Sequence, residues 1–269
     1  MNIIKTVSEL RAWREPLWPQ GKTLSYIPTM GALHDGHMAL VKDGLSRSDI
    51  CLPYIFLNPK QFSENEDLEK YPKTLDDDLD KLSAQGIDTV YIPNVDEVYP
   101  SAFQTTVSVF DIAQPLEGEC RPNFFAGVTT VVAKMLLQCL PDVAVFGEKD
   151  FQQLKVIERM VRDLDIPVEV IGHPTIRDEN GLALSSRNQY LSSDEYEIAI
   201  QLNKIILQIT KNELTELQAS EKLLKAGFDK IDYCTVRNSE TFLPKNPNRV
   251  FAAAWIGDTR LIDNITLTA

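Results

Sequence analysis

Two hydrophobic patterns alternate along the first 170 or so residues, and this alternation constrains the fold more than any other feature. Short apolar runs, typical of strands buried on both faces, alternate with longer stretches of helical periodicity. Such alternation predicts an α/β fold with a parallel sheet and right-handed crossovers. The predicted strands cover residues 23–27, 49–57, 88–93, 142–146 and 168–171, and the predicted helices cover residues 37–46, 74–85, 125–140 and 151–165.

The pattern changes after about Ile176, where helices are followed by strands. Two helices are predicted over residues 192–211 and 214–226, and the strand-like segments that follow cover residues 232–237, 250–256 and 261–267. Helices segregated from strands are typical of an α+β domain. We therefore predict two closely packed domains, a doubly wound parallel sheet over residues 1–175 and a smaller α+β domain over residues 176–269.

Two predicted helices carry clear boundary signals. Thr6 and Glu9 form a capping-box pattern at the start of a further helix, which precedes the others and runs toward Arg14. Gly86 follows the helix over residues 74–85 and is expected to end it. One side of that helix is predicted to be buried through its leucines, which are Leu75, Leu79 and Leu82.

Composition restricts the partners and the compartment. The net charge of −12 argues against a nucleic-acid-binding surface, because phosphate backbones select clusters of Lys and Arg. The N-terminus lacks a signal-peptide pattern and no apolar run is long enough to span a bilayer, so we expect a cytoplasmic protein without a membrane partner. Widely spaced cysteines predict reduced thiols, and neither a zinc site nor a disulfide framework, at Cys51, Cys120, Cys139 and Cys234.

The sequence PTMGALHDGH, residues 28–37, joins a predicted strand to a predicted helix. It contains two of the three histidines of the chain, His34 and His37. A strand, a glycine turn and a helix N-terminus together form an anion site, because free backbone N–H groups and the helix dipole favour phosphate. A buried loop with one structural histidine is the alternative, and the His-x-Gly-His spacing directly after a strand favours the anion site.

Three further loops follow predicted strands, at residues 58–71, 147–153 and 172–187. Ligands of parallel α/β sheets bind at the carboxyl ends of the strands, so these loops are expected to meet the histidine turn. The first contains NPKQF, the second GEKDFQQ, whose Lys149 is suited to phosphate, and the third LSSRN, whose hydroxyls and guanidinium are suited to a triphosphate. Taken singly, each segment is also compatible with an ordinary surface turn or connection.

An acidic run, comprising Asp76, Asp77, Asp78 and Asp80, opens the helix over residues 74–85. Acidic side chains in a first helical turn stabilise the helix dipole, which accounts for most of them. One of them is also a candidate carboxylate for Mg²⁺, which uses one or two carboxylates and retains water ligands.

No segment has the form of a covalent nucleophile site. The sequence contains no Gly-x-Ser-x-Gly elbow and no phosphate loop of the Gly-x4-Gly-Lys-Ser/Thr form. The candidate groups stabilise phosphate and offer little acid–base chemistry. This combination is typical of nucleotidyl transfer, where positioning and charge stabilisation supply most of the catalysis.

The motifs together resemble one family, the pantothenate synthetases or pantoate–β-alanine ligases. The matching segments, in the order of the family, are PTMGALHDGH (28–37), FLNPKQF (56–62), GVTTVVAK (127–134), VFGEKDFQQ (145–153) and GLALSSRN (181–188). His-x-Gly-His alone indicates only the wider nucleotidyltransferase superfamily, and its combination with the last two segments makes the resemblance specific. The similarity extends over the whole chain and is weaker after about Tyr190.

The resemblance implies a Rossmann-like N-terminal domain, a smaller C-terminal lid domain and a homodimer. It also implies a reaction in two steps, with Mg²⁺ accompanying ATP. The carboxylate of pantoate attacks the α-phosphorus of ATP, which gives pantoyl adenylate and pyrophosphate. The amine of β-alanine then attacks the acyl carbonyl, which releases AMP and pantothenate.

The resemblance further implies roles for individual residues. The catalytic set would stabilise the phosphates and the leaving pyrophosphate, and consists of His34, His37, Lys149, Ser185, Ser186 and Arg187. Contacts to ATP would come from Met30, His34, Gly36, His37, Gly147, Lys149, Asp150, Ile176, Leu184, Ser185, Ser186 and Arg187.

The other substrate groups are also assigned by the resemblance. Gln61 and Gln153 would hold pantoate through its hydroxyls and carboxylate, with Met30 beside them. Asp77 would be associated with Mg²⁺, and Tyr71 would form part of the site wall.

One position departs from the family pattern. The family usually has Arg-Pro-Gly-His-Phe before the long helix, whereas this chain has Arg121-Pro-Asn-Phe124-Phe. Any polar contact of the usual histidine is therefore absent or supplied by another group. Two alternatives to the ligase activity are another nucleotidyltransferase that adenylylates a cofactor precursor and a catalytically silent nucleotide-binding module.

Overall fold

The computed structural model describes residues 1–62 and 67–267 of the chain. Six parallel strands form the first sheet, in the order β1-β4-β3-β2-β5-β6. Their bounds are β1 Asn2–Ile4, β2 Leu24–Thr29, β3 Ile50–Ile55, β4 Thr89–Tyr91, β5 Val143–Gly147 and β6 Glu169–His173. The predicted parallel sheet is confirmed. From β2 the chain adds β3 and β4 on one side of the sheet, and it then adds β5 and β6 on the other side. The strand order therefore reverses between β2 and β5, where a crevice for ligands forms.

Helices cover both faces of this sheet. Their bounds are α1 Val7–Arg14, α2 Asp35–Arg47, α3 Leu75–Ala84, α4 Val95–Val98, α5 Glu117–Cys120, α6 Phe124–Cys139 and α7 Phe151–Asp163. Alternate residues of a strand enter different cores: Tyr54 packs in the cluster with α6, and its neighbour Ile55 packs in the cluster with α2. The sheet is therefore buried on both faces, which explains its continuous apolar strands.

The helix boundary signals have mixed outcomes. The capping box of Thr6 and Glu9 is present at the start of α1. Gly86, which follows the C-cap residue Gln85 of α3, adopts a φ of +82°, as a helix-ending glycine does. The prediction that Leu75 shares the buried side of α3 is wrong, because this first residue of the helix is 43% exposed. Asp78 is buried instead, and its carboxylate accepts hydrogen bonds from the turn that carries His34 and His37.

The C-terminal part forms an antiparallel sheet of three strands covered by three helices. The bounds are α8 Ser193–Ala199, α9 Gln201–Thr210, α10 Glu216–Ala226, β7 Lys230–Arg237, β8 Arg249–Ile256 and β9 Thr259–Thr266. The single helix predicted over residues 192–211 is divided at Ile200, whose ψ of −16° departs from the α-helical value. Residues 268–269 of the predicted domain lie outside the described part.

The two sheets lie on either side of the predicted boundary at residue 175, which itself stays a prediction. Polar contacts connect the two parts: Asn264 of β9 donates to the backbone carbonyls of Glu148 and Lys149, at 2.9 and 3.0 Å. Arg260 of β9 binds both carboxylate oxygens of the buried Glu117, at 2.7 and 2.9 Å. Of the helices that the structure describes, none has both the length and the apolar character to cross a membrane.

Candidate active site

A cavity of about 230 Å³ lies at the carboxyl ends of the parallel strands. The turn after β2 and the loops after β3, β5 and β6 form its wall, because the ends of adjacent parallel strands meet at one edge. Residues 63–66 of the predicted loop over residues 58–71 lie outside the described part. The predicted site residues on the wall are Met30, His34, Gly36, His37, Gln61, Tyr71, Gly147, Lys149, Asp150, Gln153, Ile176, Leu184, Ser185, Ser186 and Arg187.

The two histidines are held by a reciprocal hydrogen-bond pattern at the N-terminus of α2. Nδ1 of His34 accepts from the backbone N–H of Gly36 at 3.1 Å, and Nδ1 of His37 accepts from the backbone N–H of His34 at 3.3 Å. The ring centroids are 4.0 Å apart. Because each Nδ1 accepts a hydrogen bond, a neutral ring carries its proton on Nε2. Both histidines therefore offer an Nε2–H donor.

The protonation states agree with this arrangement. Burial, followed by the nearby charge of Lys149, lowers the pKa of His34 to about 4. Burial and the neighbouring His34 and Lys149 lower the pKa of His37 well below its usual value. Both imidazoles are thus neutral at pH 7, and the pair donates hydrogen bonds without carrying a positive charge.

Gly36 is required by the position of the His34 ring. A Cβ atom at Gly36 would lie 2.8 Å from Cε1 and 2.9 Å from Nδ1 of that ring. Real Cβ atoms do not approach so closely, so any side chain at this position displaces the imidazole. The glycine between the two histidines therefore lets the first ring lie against the helix start.

Asp78 of α3 anchors the turn that carries the histidines. Its carboxylate accepts from the backbone N–H groups of Ala32 and Leu33, at 2.9 and 2.7 Å. Lys81, one turn later, donates to the carbonyl oxygen of Leu33 at 2.6 Å. The interpretation of Asp77 as a magnesium ligand needs correction. Its side chain is on the exposed side of α3, and Asp77 is not among the described residues that line the cavity.

Sequence reasoning did not identify Asp78 as part of the site, although a signal was available. Asp78 lies four residues before Leu82, which is buried, and so is on the same side of the helix. An acidic residue on a buried stripe needs hydrogen-bond donors. The backbone of the histidine turn supplies them.

Lys149 and Asp150 follow β5 and face the cavity. Nζ of Lys149 is 3.9 Å from Oδ2 of Asp150, and the Lys149 side chain is largely buried. The contact from Asn264 to the Lys149 carbonyl holds the backbone of this turn from the C-terminal sheet. Lys149 is therefore a positioned cation, near enough to His34 and His37 to lower their pKa values.

Gln61 is oriented by Asn58, a second residue that the sequence prediction did not include. Nδ2 of Asn58 donates to Oε1 of Gln61 at 2.9 Å. Oδ1 of Asn58 accepts from the hydroxyl of Tyr99 at 2.8 Å, so the orientation of the Asn58 amide is set from outside the cavity. Nε2 of Gln61, 3.2 Å from the sulfur of Met30, is thereby the donor available to a substrate. Gln153 contributes a second amide from α7.

The serine–serine–arginine segment closes the cavity from the C-terminal side. Ser186 donates to the carbonyl oxygen of Ala32 at 3.0 Å, which ties this segment to the histidine turn. Ser185 caps a short 3-10 helix, and its hydroxyl accepts from the backbone N–H of Arg187. The Arg187 guanidinium binds both carboxylate oxygens of Asp67, at 2.9 and 2.7 Å. Arg187 thus lines the cavity while paired with Asp67, which is not among the described residues of the cavity wall.

Phe124, the departure from the family pattern, packs as part of the wall. It is 8% exposed, and the guanidinium carbon of Arg121 lies 3.6 Å from its ring centroid. Arg121 also donates to the carbonyl oxygen of Gln61 at 3.3 Å. The aromatic ring therefore supports a cation that holds the Gln61 loop, through a cation–π contact.

Much of the remaining wall is apolar, although Thr29, Asn58, Arg121 and Thr175 also line it. The apolar part is formed by one face of α6 and by strand residues, including Tyr54, Phe56, Val128, Val131, Val132 and Met135. The cavity therefore has a polar end with imidazole, ammonium and amide donors and an apolar end against α6. Such a site can hold a phosphate-bearing ligand at one end and a small branched acid at the other.

Comparisons with known proteins identify the family of this chain. The sequence model of a family described as pantoate-beta-alanine ligase matches residues 2–266. The pantothenate synthetases of Paramagnetospirillum magneticum and Mesorhizobium japonicum are each 46% identical to this chain, and each alignment covers 98% of this chain and 97% of the relative.

Solved structures give the same result. A pantothenate synthetase from Thermus thermophilus superposes with a TM-score of 0.91 at 39% identity, with 100% of both chains covered. A pantoate-beta-alanine ligase from Francisella tularensis, complexed with beta-gamma ATP and beta-alanine, superposes with a TM-score of 0.90 at 35% identity, covering 100% of this chain and 99% of that one. On this whole-length similarity, the chain belongs to the pantoate–β-alanine ligase family, the pantothenate synthetases.

Proposed function

We propose that this chain joins pantoate to β-alanine at the expense of ATP, through a pantoyl adenylate. One observation carries the proposal: two imidazole Nε2–H donors and Lys149 converge at one end of a cavity whose other polar groups include the amides of Gln61 and Gln153. The family membership supports it, as does the F. tularensis relative, which was solved with beta-gamma ATP and beta-alanine. A silent binding module would not need this set of donors.

In the first step, a carboxylate oxygen of pantoate attacks the α-phosphorus of ATP. A new P–O bond forms, the bond from the α-phosphorus to the bridging oxygen breaks, and pyrophosphate leaves with the electron pair. His34 and His37 donate Nε2–H hydrogen bonds to the phosphate oxygens, and Lys149 supplies positive charge where charge develops. Because the imidazoles are neutral, they stabilise the leaving group without transferring a proton.

In the second step, the amine of β-alanine attacks the acyl carbonyl of the adenylate. A C–N bond forms, the C–O bond to AMP breaks, AMP leaves with the electron pair, and the amine releases a proton to water. The contribution of the chain is orientation: the amide of Gln61, which Asn58 holds in place, and the amide of Gln153 fix the pantoyl group. Fixed geometry of this kind lowers the barrier by removing the entropy cost of alignment.

The remaining contacts are assigned to ATP. We propose that Gly36, Gly147, Ile176 and Leu184 contact the nucleotide through backbone and apolar surface, with Asp150 near the ribose. Met30 lies between the nucleotide and pantoate, and Tyr71 forms part of the wall. Ser185, Ser186 and Arg187 contact the triphosphate, for which Arg187 has to share or exchange its contact with Asp67.

Magnesium enters this scheme with ATP as part of the substrate. Among the residues described, no group of three or more His, Cys, Asp or Glu side chains could hold a metal ion. Asp150 is the carboxylate on the described wall of the cavity. One carboxylate fits an ion that retains phosphate and water ligands, and it does not fit a resident metal.

We also propose a cytoplasmic homodimer. All four cysteines are free, which suits a reducing compartment such as the cytoplasm.

An exposed aromatic side chain supports the dimer. Phe110 is 73% exposed, and aromatic side chains are enriched at association surfaces. Light scattering should give twice the chain mass of 30.4 kDa. A monomeric mass across the working concentration range would contradict the dimer.

Stepwise substrate addition tests the activity. Pyrophosphate should form from Mg·ATP only when pantoate is present, and AMP and pantothenate should form when β-alanine follows. Release without pantoate would indicate a different nucleotidyltransferase or a hydrolase. Binding of ATP without turnover would indicate a silent module.

A further inference from the structure

Two polar side chains of β9, Arg260 and Asn264, reach from the C-terminal sheet into the N-terminal part of the chain. They are four residues apart on the strand, so they lie on the same face of the sheet, about 13 Å from each other. Asn264 is buried, and the side chain of Arg260 is largely buried. Each of them contacts a different segment beside the active site.

Arg260 holds the carboxylate of Glu117 in a fixed geometry. Nη1 and Nη2 of Arg260 donate to separate oxygens of Glu117, at 2.9 and 2.7 Å, and Nε donates to Asp232 at 2.8 Å. The hydroxyl of Tyr233 on β7 donates to Oε1 of Glu117 at 2.5 Å. Because bidentate pairs between arginine and a carboxylate are directional, Glu117 has a defined position relative to the C-terminal sheet.

Glu117 in turn contacts the segments of both glutamines of the cavity wall. Arg121 donates to Oε2 of Glu117 at 3.4 Å and to the carbonyl oxygen of Gln61 at 3.3 Å. The backbone N–H of Glu117 donates to Oε1 of Gln152, the residue before Gln153, at 3.1 Å. Polar contacts thus connect β9 to the loop of Gln61 and to the start of α7.

Asn264 has a different target, the turn after β5. Its Nδ2 donates to the carbonyl oxygens of Glu148 and Lys149, at 2.9 and 3.0 Å. Its Oδ1 accepts from Nη1 of Arg249, and the guanidinium carbon of Arg249 lies 3.7 Å from the ring centroid of Phe151. Arg249 therefore determines which end of the Asn264 amide faces the two carbonyl oxygens.

We infer that Arg260 and Asn264 are positioning residues with separate targets in the active site. Arg260 acts through Glu117 and Arg121 on the loop that binds pantoate. Asn264 acts on the turn of Lys149, which binds phosphate. The inference rests on the proposed function. Because a small displacement of a binding group weakens its contacts with the substrate, the C-terminal sheet affects the binding of each substrate through its own contact.

Arg260→Lys tests the first connection, because lysine keeps the positive charge and loses the bidentate contact. KM for pantoate should rise roughly tenfold, and KM for ATP should stay the same, each measured by pyrophosphate release with the other substrate saturating. Glu117→Gln should have the same selective effect. In the double variant the two effects should not add, because both substitutions break one connection.

Asn264→Leu tests the second connection, because leucine removes the amide at a similar side-chain volume. KM for ATP should rise roughly tenfold, and KM for pantoate should stay the same. Circular dichroism checks the fold of the variant. If Asn264→Leu does not fold, Asn264→Ser, which leaves room for water beside the two carbonyl oxygens, gives the same comparison.

Thr235→Val is the matched control for loss of a buried polar contact in the same sheet. Thr235 of β7 is buried, and its hydroxyl donates to Oε2 of Glu216 in α10 at 2.6 Å. It is not one of the described residues that line the cavity. The variant should unfold at a lower temperature than the unsubstituted chain, and both KM values should stay the same.

The two connections can fail separately. An unchanged KM for pantoate in both Arg260→Lys and Glu117→Gln would overturn the role of Arg260. An unchanged KM for ATP in the folded Asn264 variant would overturn the role of Asn264. Equal increases of both KM values in every variant, Thr235→Val included, would mean that the sheet acts through general stability, which overturns both roles.

These results leave the proposed function intact, because the unsubstituted chain still adenylates pantoate. A separate result would remove the proposed function and this inference together. In that case the unsubstituted chain releases no pyrophosphate from Mg·ATP when pantoate is added.

Discussion

The carboxylate of Asp78 accepts a 2.7 Å hydrogen bond from the backbone N–H of Leu33. This contact joins the first turn of α3 to the turn that carries both histidines. A second carboxylate oxygen binds the N–H of Ala32, whose φ of +52° is a left-handed conformation. The carboxylate therefore holds a strained backbone, and the placement of the imidazoles depends on it.

Asp78→Asn should impair both stability and adenylation. The amide nitrogen would face a backbone N–H donor, so the free energy of unfolding should fall by about 1–3 kcal/mol. Displacement of the histidine turn should slow pyrophosphate release by roughly one to two orders of magnitude. Asp77→Asn, on the exposed side of the same helix, is the control. It should change neither the free energy of unfolding nor the rate of pyrophosphate release. Equal losses in the two variants would refute the anchoring role.

His37→Ala should slow adenylate formation by roughly two to three orders of magnitude, because a preorganised donor to the leaving pyrophosphate is lost. The fold should remain intact, since α2 keeps its helical backbone bonds and the His34 cap. Single-turnover pyrophosphate release measures the rate, and circular dichroism checks the fold. Unchanged turnover in a folded variant would rule out the phosphate role of His37.

Gly36→Ala should also slow adenylation, by at least about tenfold. The added Cβ would lie 2.8 Å from Cε1 of His34 and would push the imidazole out of its position. Asp35→Ala, at the exposed preceding position, serves as a control for changes at the helix start. If Gly36→Ala retains the wild-type rate, the ring of His34 does not need its observed position.

Asn58→Leu should raise KM for pantoate and lower kcat, because the Gln61 amide loses the bond that orients it. Tyr99→Phe removes only one donor to Asn58, and a second donor, the backbone N–H of Lys60, remains. Its effect should therefore be smaller. Steady-state kinetics at varied pantoate concentration gives KM and kcat for the two variants. An equal effect of both substitutions would mean that Asn58 acts through the core and not through Gln61.

The free energy of unfolding should depend on pH through His34. Its pKa is lowered to about 4, whereas histidine in an unfolded chain titrates near 6.5. Between these values the unfolded state binds more protons, so stability rises with pH through this interval and is lost as the pH falls. His34→Asn keeps a side chain suited to the helix N-cap and should flatten the slope. Urea denaturation at several pH values measures this slope. Equal slopes in the unsubstituted chain and in His34→Asn would contradict the lowered pKa of His34.

Much of the fold was predictable because its strands are buried on both faces. Five of the six strands of the first sheet read as apolar runs, and the loops after four of them, β2, β3, β5 and β6, were correctly expected to meet at one edge. β1 was not predicted, because it has three residues and only Ile4 is buried. A strand so short carries no periodicity. The wall residues that were proposed from the sequence could be proposed because each follows a strand end or belongs to a family motif.

The contacts that orient those residues were not predictable. Asp78 and Leu33 are 45 positions apart in sequence, and Asn264 is 115 positions from the Lys149 carbonyl that it binds. The pairing of Arg187 with Asp67 likewise spans 120 positions. Local patterns contain no information about such partners, because a hydrogen bond depends on where the folded backbone places its donor and acceptor.

The sequence by itself determined the class of the fold, the edge of the sheet that binds ligands and the chemistry offered there. These follow from hydrophobic periodicity and residue type, which act over a few neighbouring positions. Tertiary structure decided the tautomers of His34 and His37 and the donor end of Gln61. Each of these depends on burial or on a hydrogen bond that forms only in the folded chain. In the packed interior a polar group that loses its hydration needs a hydrogen-bond partner, so the partner determines its orientation.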